Sequence, residues 1–174
     1  MECAANNQIE QANQLVNCKE VDVNLKNMFN QTAVHYACKY NNPEIVEMIG
    51  SVPGVEMNTV NIAGDTALMT AVRAGNTDCV GAMLNIPGVD CDVTDERGDT
   101  AVIVATRMGN KGVLMALLDC TSVDLNIKDS QNKTAYQHVC SNKDVPVIKM
   151  IGAVDGVEVN TVDDEHCGGG TGDW

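Results

Sequence analysis

Short apolar runs recur along the chain at a constant spacing, separated by polar turns. Residues 67–72 and 101–106 are almost entirely apolar, which predicts short helices that are buried on several sides. A Thr-Ala pair begins at each of Thr32, Thr66, Thr100 and Thr134, which are 34 residues apart. Thr is a favourable helix N-cap and Ala suits the first turn, so each pair predicts the start of a helix.

Other positions keep the same step. The predicted helices end at Asn7, Asn41, Gly75, Gly109 and Lys143, which are mostly residues that tolerate the left-handed C-cap conformation. A second helix follows, as from Pro43 to Gly50, and then a loop and an extended segment. The turn before the next Thr is predicted to have positive φ at Asn30, Gly64, Gly98, Asn132 and His166. The chain is therefore predicted to be an array of helix pairs.

The repeated phrases resemble those of the ankyrin repeat. They include Thr32-Ala33-Val34-His35, Thr66-Ala67-Leu68-Met69 and Gly88-Val89-Asp90-Cys91-Asp92. The resemblance covers residues 1 to about 165 and implies an all-α ankyrin-repeat solenoid, in which stacked helix pairs carry projecting β-hairpin loops. Ala replaces the family's Pro. The family's His is kept only at His35, and its loss from the other repeats is expected to loosen some hydrogen bonding between repeats.

The repeat columns divide the chain into an array over residues 1–165 and a flexible Gly-rich tail over 168–174. The array has a polar N-terminal cap (1–24), repeats at about 25–58, 59–92, 93–126 and 127–160, and the start of a fifth hairpin (161–167). The last helices look as apolar as internal ones. We therefore expect either that the chain continues or that something covers its C-terminal face.

Composition and charge exclude several classes of protein. Aromatic residues make up 3% of the 174 residues, which disfavours an all-β fold. The net charge of −13 repels nucleic acid and anionic membranes. Neither a membrane span nor a signal peptide is visible. The sequence predicts a soluble intracellular protein, cytoplasmic or nuclear, that is monomeric unless its C-terminal face pairs.

The polar and reactive residues predict no catalytic site, metal site or cofactor. Seven of the eight cysteines stand in columns otherwise held by small apolar residues, which predicts reduced core thiols, and only Cys167 is expected to be exposed and reactive. The acidic column Asp22, Glu56, Asp90, Asp124 and Glu158 is expected to cap loop backbone. The three histidines form no catalytic constellation, so we expect no enzyme activity.

The resemblance implies that a partner docks on the concave side, at the hairpin tips and the exposed ends of the first helices. The positions carried over are Lys26, Met28, Phe29, Lys39, Tyr40, Ile62, Arg73, Glu96, Arg97, Arg107 and Met108. They include all three arginines of the chain and its only Phe, and Arg and aromatic residues are enriched at interface hot spots.

Lys39, Arg73 and Arg107 share one column and form a predicted basic ladder. As a binding stripe, the ladder would have exposed heads that are not all neutralised within the protein, and its partner would be acidic with an apolar contact to Phe29 and Tyr40. The alternative is that the arginines balance local carboxylates such as Asp65 and Asp99.

The leading hypothesis for function is a non-catalytic protein-interaction module, such as an adaptor, a scaffold or an inhibitor. The alternative is an ankyrin segment of a larger channel, enzyme or effector that serves in targeting or autoinhibition.

Overall fold

The computed structural model describes residues 22–120 and 122–159. Within these ranges the chain forms eight helices and no strand. The helices are α1 (Ala33–Lys39), α2 (Pro43–Gly50), α3 (Ala67–Ala74), α4 (Thr77–Leu84), α5 (Ala101–Met108), α6 (Lys111–Leu118), α7 (Ala135–Asn142) and α8 (Val145–Gly152). The all-α solenoid of stacked helix pairs is confirmed.

Thr side chains cap the first helix of three pairs. The hydroxyl oxygens of Thr66, Thr100 and Thr134 accept hydrogen bonds from the backbone N–H three residues later, at 3.2, 3.4 and 3.4 Å. These bonds satisfy donors that the first turn of a helix leaves without an intrahelical partner. The predicted role of the Thr column is therefore confirmed at these three helices.

Left-handed residues end the first helices, as the sequence predicts. The residue that follows α3, α5 and α7 is Gly75, Gly109 and Lys143, with φ of 75°, 66° and 56°. Asn41 has φ of 55° one residue beyond the C-cap of α1. A Cβ atom makes this conformation unfavourable, so Lys143 holds it at a cost that Gly75 and Gly109 avoid.

The loops between repeats turn back where the sequence predicts positive φ. Asn30, Gly64, Gly98 and Asn132 have φ between 56° and 76°. At Gly64 the neighbouring loop also leaves no room, since a Cβ atom there would lie 2.7 Å from the backbone nitrogen of Glu96. The extended segments of these hairpins are loops rather than strands, although hydrogen bonds such as Asn61 N–H to the Asp65 carbonyl (2.9 Å) close them.

The core is continuous along the array. Each first helix packs against the first helix of the next pair, and each second helix against the next second helix. The side chains of α3 and α5 are the most completely buried, as expected for nearly all-apolar helices with neighbours on both sides. Cys38, Cys79 and Cys91 lie in this core, as predicted for small apolar positions.

His35 joins the first two repeats from inside the core. Its Nδ1 accepts a hydrogen bond from the Thr32 N–H at 3.2 Å, so its Nε2 carries the proton and donates to the Asp65 carbonyl at 3.2 Å. Burial lowers the pKa of His35, which keeps the ring neutral in this position. The hydrogen bonding between repeats that the resemblance implies for His35 agrees with these contacts.

Part of the predicted domain division lies outside the described residues. This part includes most of the cap (1–24), the fifth hairpin (161–167) with His166 and Cys167, and the tail (168–174). The four helix pairs each fall within one of the four predicted repeat ranges, and the boundaries themselves stay a prediction.

Candidate partner-binding surface

The hairpin tips of the first two repeats carry exposed apolar side chains. Met28 is 86% exposed, Ile62 58% and Phe29 48%. The two tips lie side by side, because the Ile62 N–H donates to the Phe29 carbonyl at 3.1 Å. These three exposed side chains therefore come from adjacent hairpin tips, and we call them the apolar tip patch (Met28, Phe29 and Ile62).

The end of α1 adds an aromatic pair and a cation. The rings of Tyr36 and Tyr40 stack with centroids 6.2 Å apart, and Lys39 Nζ lies 5.5 Å from the centre of the Tyr40 ring. The Tyr36 hydroxyl accepts a hydrogen bond from Asn27 Nδ2 at 3.2 Å, which ties the end of α1 to the base of the first hairpin. Tyr40 remains 48% exposed.

Two carboxylates form ion pairs with Arg73, the second member of the basic ladder, and we call this arrangement a clamp. Arg73 Nε lies 2.9 Å from Asp65, which belongs to its own hairpin, and a terminal nitrogen lies 2.6 Å from Asp95 in the next hairpin. Both carboxylates are nearly buried. Arg73 therefore connects consecutive hairpins, since charge-assisted hydrogen bonds of this kind are short and directional.

The third member repeats this arrangement one step along. A terminal nitrogen of Arg107 lies 3.3 Å from Asp99 and 2.7 Å from Asp129. His138 Nε2 lies 2.6 Å from the same Asp129 oxygen and 3.3 Å from Arg107. Burial raises the pKa of Asp99, with Arg107 opposing the shift. Of the two carboxylates beside Arg107, Asp99 is therefore the one whose charged form is less stabilised.

Asp129 receives enough hydrogen bonds to offset its burial. Burial by itself opposes ionisation, but donors from the Lys133 N–H, His138, the Gln131 N–H and Arg107 together lower the pKa of this carboxyl group. Hydrogen bonds to the charged form of an acid favour that form. Asp129 is therefore a carboxylate that closes its own hairpin with one oxygen and binds Arg107 and His138 with the other.

The ladder is consequently uneven. Arg73 and Arg107 are neutralised by carboxylates of the scaffold, as the alternative hypothesis states, and they do not form an unpaired basic stripe with Lys39. No carboxylate of the described residues forms an ion pair with Lys39. A recognition role for the ladder stays a prediction, and this geometry favours it only at Lys39.

The remaining predicted positions lie on exposed parts of the described chain. Met108 is 55% exposed at the end of α5, and Glu96 and Arg97 are exposed at the third hairpin tip. Lys26 lies 3.8 Å from Glu56, an exposed contact of small energetic value. The tips therefore change from apolar in the first two repeats to charged in the third.

Sequence reasoning named Asp65 and Asp99 as partners of the arginines, but it missed the partners in the next hairpin and a second set of contacts. The missed partners of the arginines are Asp95 and Asp129, and the same repeat position holds Asn27 and Asn61 in the first two repeats. The second set of contacts lies in the loops after the second helices. There the side chains of Asn24, Asn58 and Asn126 each donate a hydrogen bond to a glycine carbonyl one repeat later at 2.8–2.9 Å. The 34-residue spacing was the available signal for both.

The acidic column caps loop backbone, as predicted, at its three Asp residues, whereas Glu56 contacts the side chains of Lys26 and Thr59. The side chains of Asp22, Asp90 and Asp124 each accept a hydrogen bond from the backbone N–H two residues later at 2.9 Å. Within residues 22–120 and 122–159, no three His, Cys, Asp or Glu side chains are grouped as a metal site requires. In the same ranges no helix is long and apolar enough to traverse a bilayer.

Comparison with known proteins adds the family. A family model described as ankyrin repeats (3 copies) matches residues 1–95 and 81–163. A search of curated proteins finds no match. The matched residues cover most of the chain and carry the motifs that form the helix pairs. The chain therefore belongs to the ankyrin-repeat family, whose repeats are protein–protein interaction modules and are generally non-catalytic.

Proposed function

We propose that this chain is a non-catalytic adaptor, scaffold or inhibitor whose partner protein docks on the face formed by the hairpin tips and the ends of the first helices. The observation that carries the proposal is the location of the exposed apolar side chains. In the described part of the chain ten large hydrophobic residues are exposed, and six of them lie on this face. These six are Met28, Phe29, Tyr40, Val60, Ile62 and Met108.

This distribution supports an interface because the tips have little core to fill. Single exposed hydrophobic residues are ordinary, whereas a contiguous apolar area with a polar rim is typical of an interaction site. Aromatic anchors at the centre of such an area supply much of the binding energy, with losses of about 2 kcal/mol or more on truncation. Phe29 and Tyr40 are the candidates for this role.

Photo-crosslinking tests the proposal. A photoreactive residue is placed at Ile62 in one variant and at Met115 in another, since Met115 is equally exposed (56%) but lies on the second helix α6. We expect a protein crosslink from position 62 in extracts of the producing cell, and loss of that crosslink when Phe29→Ser is added. Equal crosslinking from both positions, or no effect of Phe29→Ser, would contradict the proposal.

A further inference from the structure

The first helices of the first three repeats end with a cation, Lys39, Arg73 or Arg107, and the repeat offers two positions for a carboxylate around it. One lies eight residues earlier in its own hairpin, and the other lies 22 residues later in the next hairpin. Asp65 and Asp95 fill these places around Arg73, and Asp99 and Asp129 fill them around Arg107. The two steps share the spacing of their carboxylates, although Arg73 hydrogen-bonds Asp65 through Nε and Arg107 forms only an ion pair with Asp99 at 3.3 Å.

Around Lys39 the same two places hold neutral amides. They are Gln31 and Asn61. The backbone geometry is preserved, because Asn61 Oδ1 accepts hydrogen bonds from the Ala63 and Asp65 N–H groups at 2.8 and 3.1 Å, as Asp95 does in its own hairpin. Lys39 therefore occupies the same repeat position as the clamped arginines, with uncharged residues at the two positions that hold their carboxylates.

We infer that the partner itself supplies the missing carboxylate: the first two repeats bind a linear segment in which an Asp or Glu side chain pairs with Lys39 and neighbouring apolar side chains cover Met28, Phe29 and Ile62. This inference rests on the proposed function and specifies the class of partner. By repeat equivalence, Gln31 and Asn61 at the bases of the first two hairpins correspond to the carboxylates around Arg73, and the tips of these hairpins carry the apolar tip patch. One short segment can therefore reach both features.

Charge complementarity selects an acidic segment over a basic one. Lys39 Nζ lies over the Tyr40 ring, which holds the ammonium group near the end of α1. The protein as a whole carries −13, so a strongly acidic partner is repelled at long range. A segment with one carboxylate among apolar residues satisfies both conditions. The apolar contact then supplies most of the affinity, and the ion pair fixes the register.

The test uses Asn61→Asp, which puts a carboxylate of the protein itself at the repeat position that Asp95 occupies beside Arg73. Asp at this position retains the acceptor that closes the hairpin, as Asp95 and Asp129 show, and brings a carboxylate to Lys39. Gln131→Glu is the matched control, because it adds the same charge at the fourth hairpin tip, where Gln131 is exposed. Far-UV circular dichroism and denaturant unfolding verify that both variants fold.

A displayed library of random linear peptides supplies the probe. Peptides enriched on the wild-type protein should combine an Asp or Glu with aromatic or branched aliphatic residues. Asn61→Asp should weaken their binding about tenfold or more, the change expected for one lost charge-assisted hydrogen bond. Gln131→Glu should change affinity by less than about twofold. Replacing the peptide carboxylate by its amide should weaken binding to the wild type and add little further loss in Asn61→Asp.

Two results would overturn the inference. One is enriched peptides that lack an acidic residue or that bind Asn61→Asp as tightly as the wild type. The other is the absence of any binding peptide. In the first case, loss of binding with Phe29→Ser together with Ile62→Ser leaves the proposed face in place, and only the acidic partner is wrong. In the second, the crosslinking comparison between positions 62 and 115 decides the proposed function separately.

Discussion

The junction between the first two repeats and the junction between the last two are built with different chemistry. In the first junction the contacts are uncharged: His35 donates to the Asp65 carbonyl at 3.2 Å, and Asn76 Nδ2 donates to the Cys38 carbonyl at 2.8 Å. In the last junction the corresponding region uses ions: Arg107 lies 2.7 Å from Asp129, and Lys111 lies 3.3 Å from Asp144.

The exposed surfaces differ in the same way. The uncharged junction lies beneath the apolar tip patch and an unclamped Lys39, whereas the ionic junction lies beneath polar tips and a clamped Arg107. An arginine that already forms ion pairs between two repeats is not available to pair with a partner protein. Under the proposed function, the first half of the array serves recognition and the last half serves cohesion between repeats, and variants in the two halves distinguish these roles.

The largest expected effect follows removal of a clamp cation. Arg107→Ala leaves two nearly buried carboxylates without their counter-ion, so we expect the free energy of unfolding to fall by about 2 kcal/mol, less than for a fully buried pair because the guanidinium is partly exposed. Arg73→Ala should behave alike. Lys39→Ala should change stability by less than about 0.5 kcal/mol. Urea unfolding measures all three.

Similar losses for the Lys39 and Arg107 variants would remove the distinction between the two junctions. High salt offers a second check, since ionic screening weakens exposed parts of an ion pair. The difference between Arg107→Ala and the wild type should shrink as salt concentration rises, while that for Lys39→Ala stays near zero.

These pairings show where sequence reasoning succeeds and where it stops. The Thr caps, the left-handed turns and the buried cysteines were predictable because each depends on one position and its local backbone. The Asp65 half of the Arg73 clamp was open to sequence reasoning, which named it as the alternative. The Asp95 half was not predicted, because only the stacking of successive repeats brings Asp95 to 2.6 Å from Arg73. Lys39 differs from the two arginines because Gln31 and Asn61 stand at the positions that hold carboxylates around the arginines, and this cannot be read from the position of Lys39 alone.

The next effect concerns the loop that faces away from the hairpin tips. Asp92 stands where Asn24, Asn58 and Asn126 donate to a glycine carbonyl, and its carboxylate accepts the Asp124 N–H at 2.9 Å but cannot donate. Asp92→Asn provides a side-chain N–H, which by repeat equivalence can donate to the carbonyl of Ser122, the counterpart of these glycines. We expect a stabilisation of about 1 kcal/mol at neutral pH, the net value of one hydrogen bond, measured by urea unfolding.

Acidification should reduce this gain. Burial raises the pKa of Asp92, and the nearby Asp124 and Asp90 charges act in the same direction, against a backbone hydrogen bond. The folded protein therefore binds the proton more tightly than the unfolded chain, and wild-type stability gains from Asp92 as pH falls through its raised pKa. Protonation also gives Asp92 a donor. An advantage for Asp92→Asn that grows on acidification would contradict this account.

The smallest effect tests the end of α7, in the ionic half. Lys143 occupies a left-handed C-cap with φ of 56°, where α3 and α5 end in Gly75 and Gly109. In Lys143→Gly the relief of backbone strain exceeds the added entropy of the unfolded chain by about 0.5 kcal/mol. Asn41→Gly, at the equivalent position after α1, should gain less, because Asn tolerates this conformation better than Lys. Thermal unfolding of the two variants side by side measures the difference. A larger gain at Asn41 would show that strain at these caps does not follow the identity of the residue, so that the last repeat loses nothing by ending its helix with Lys.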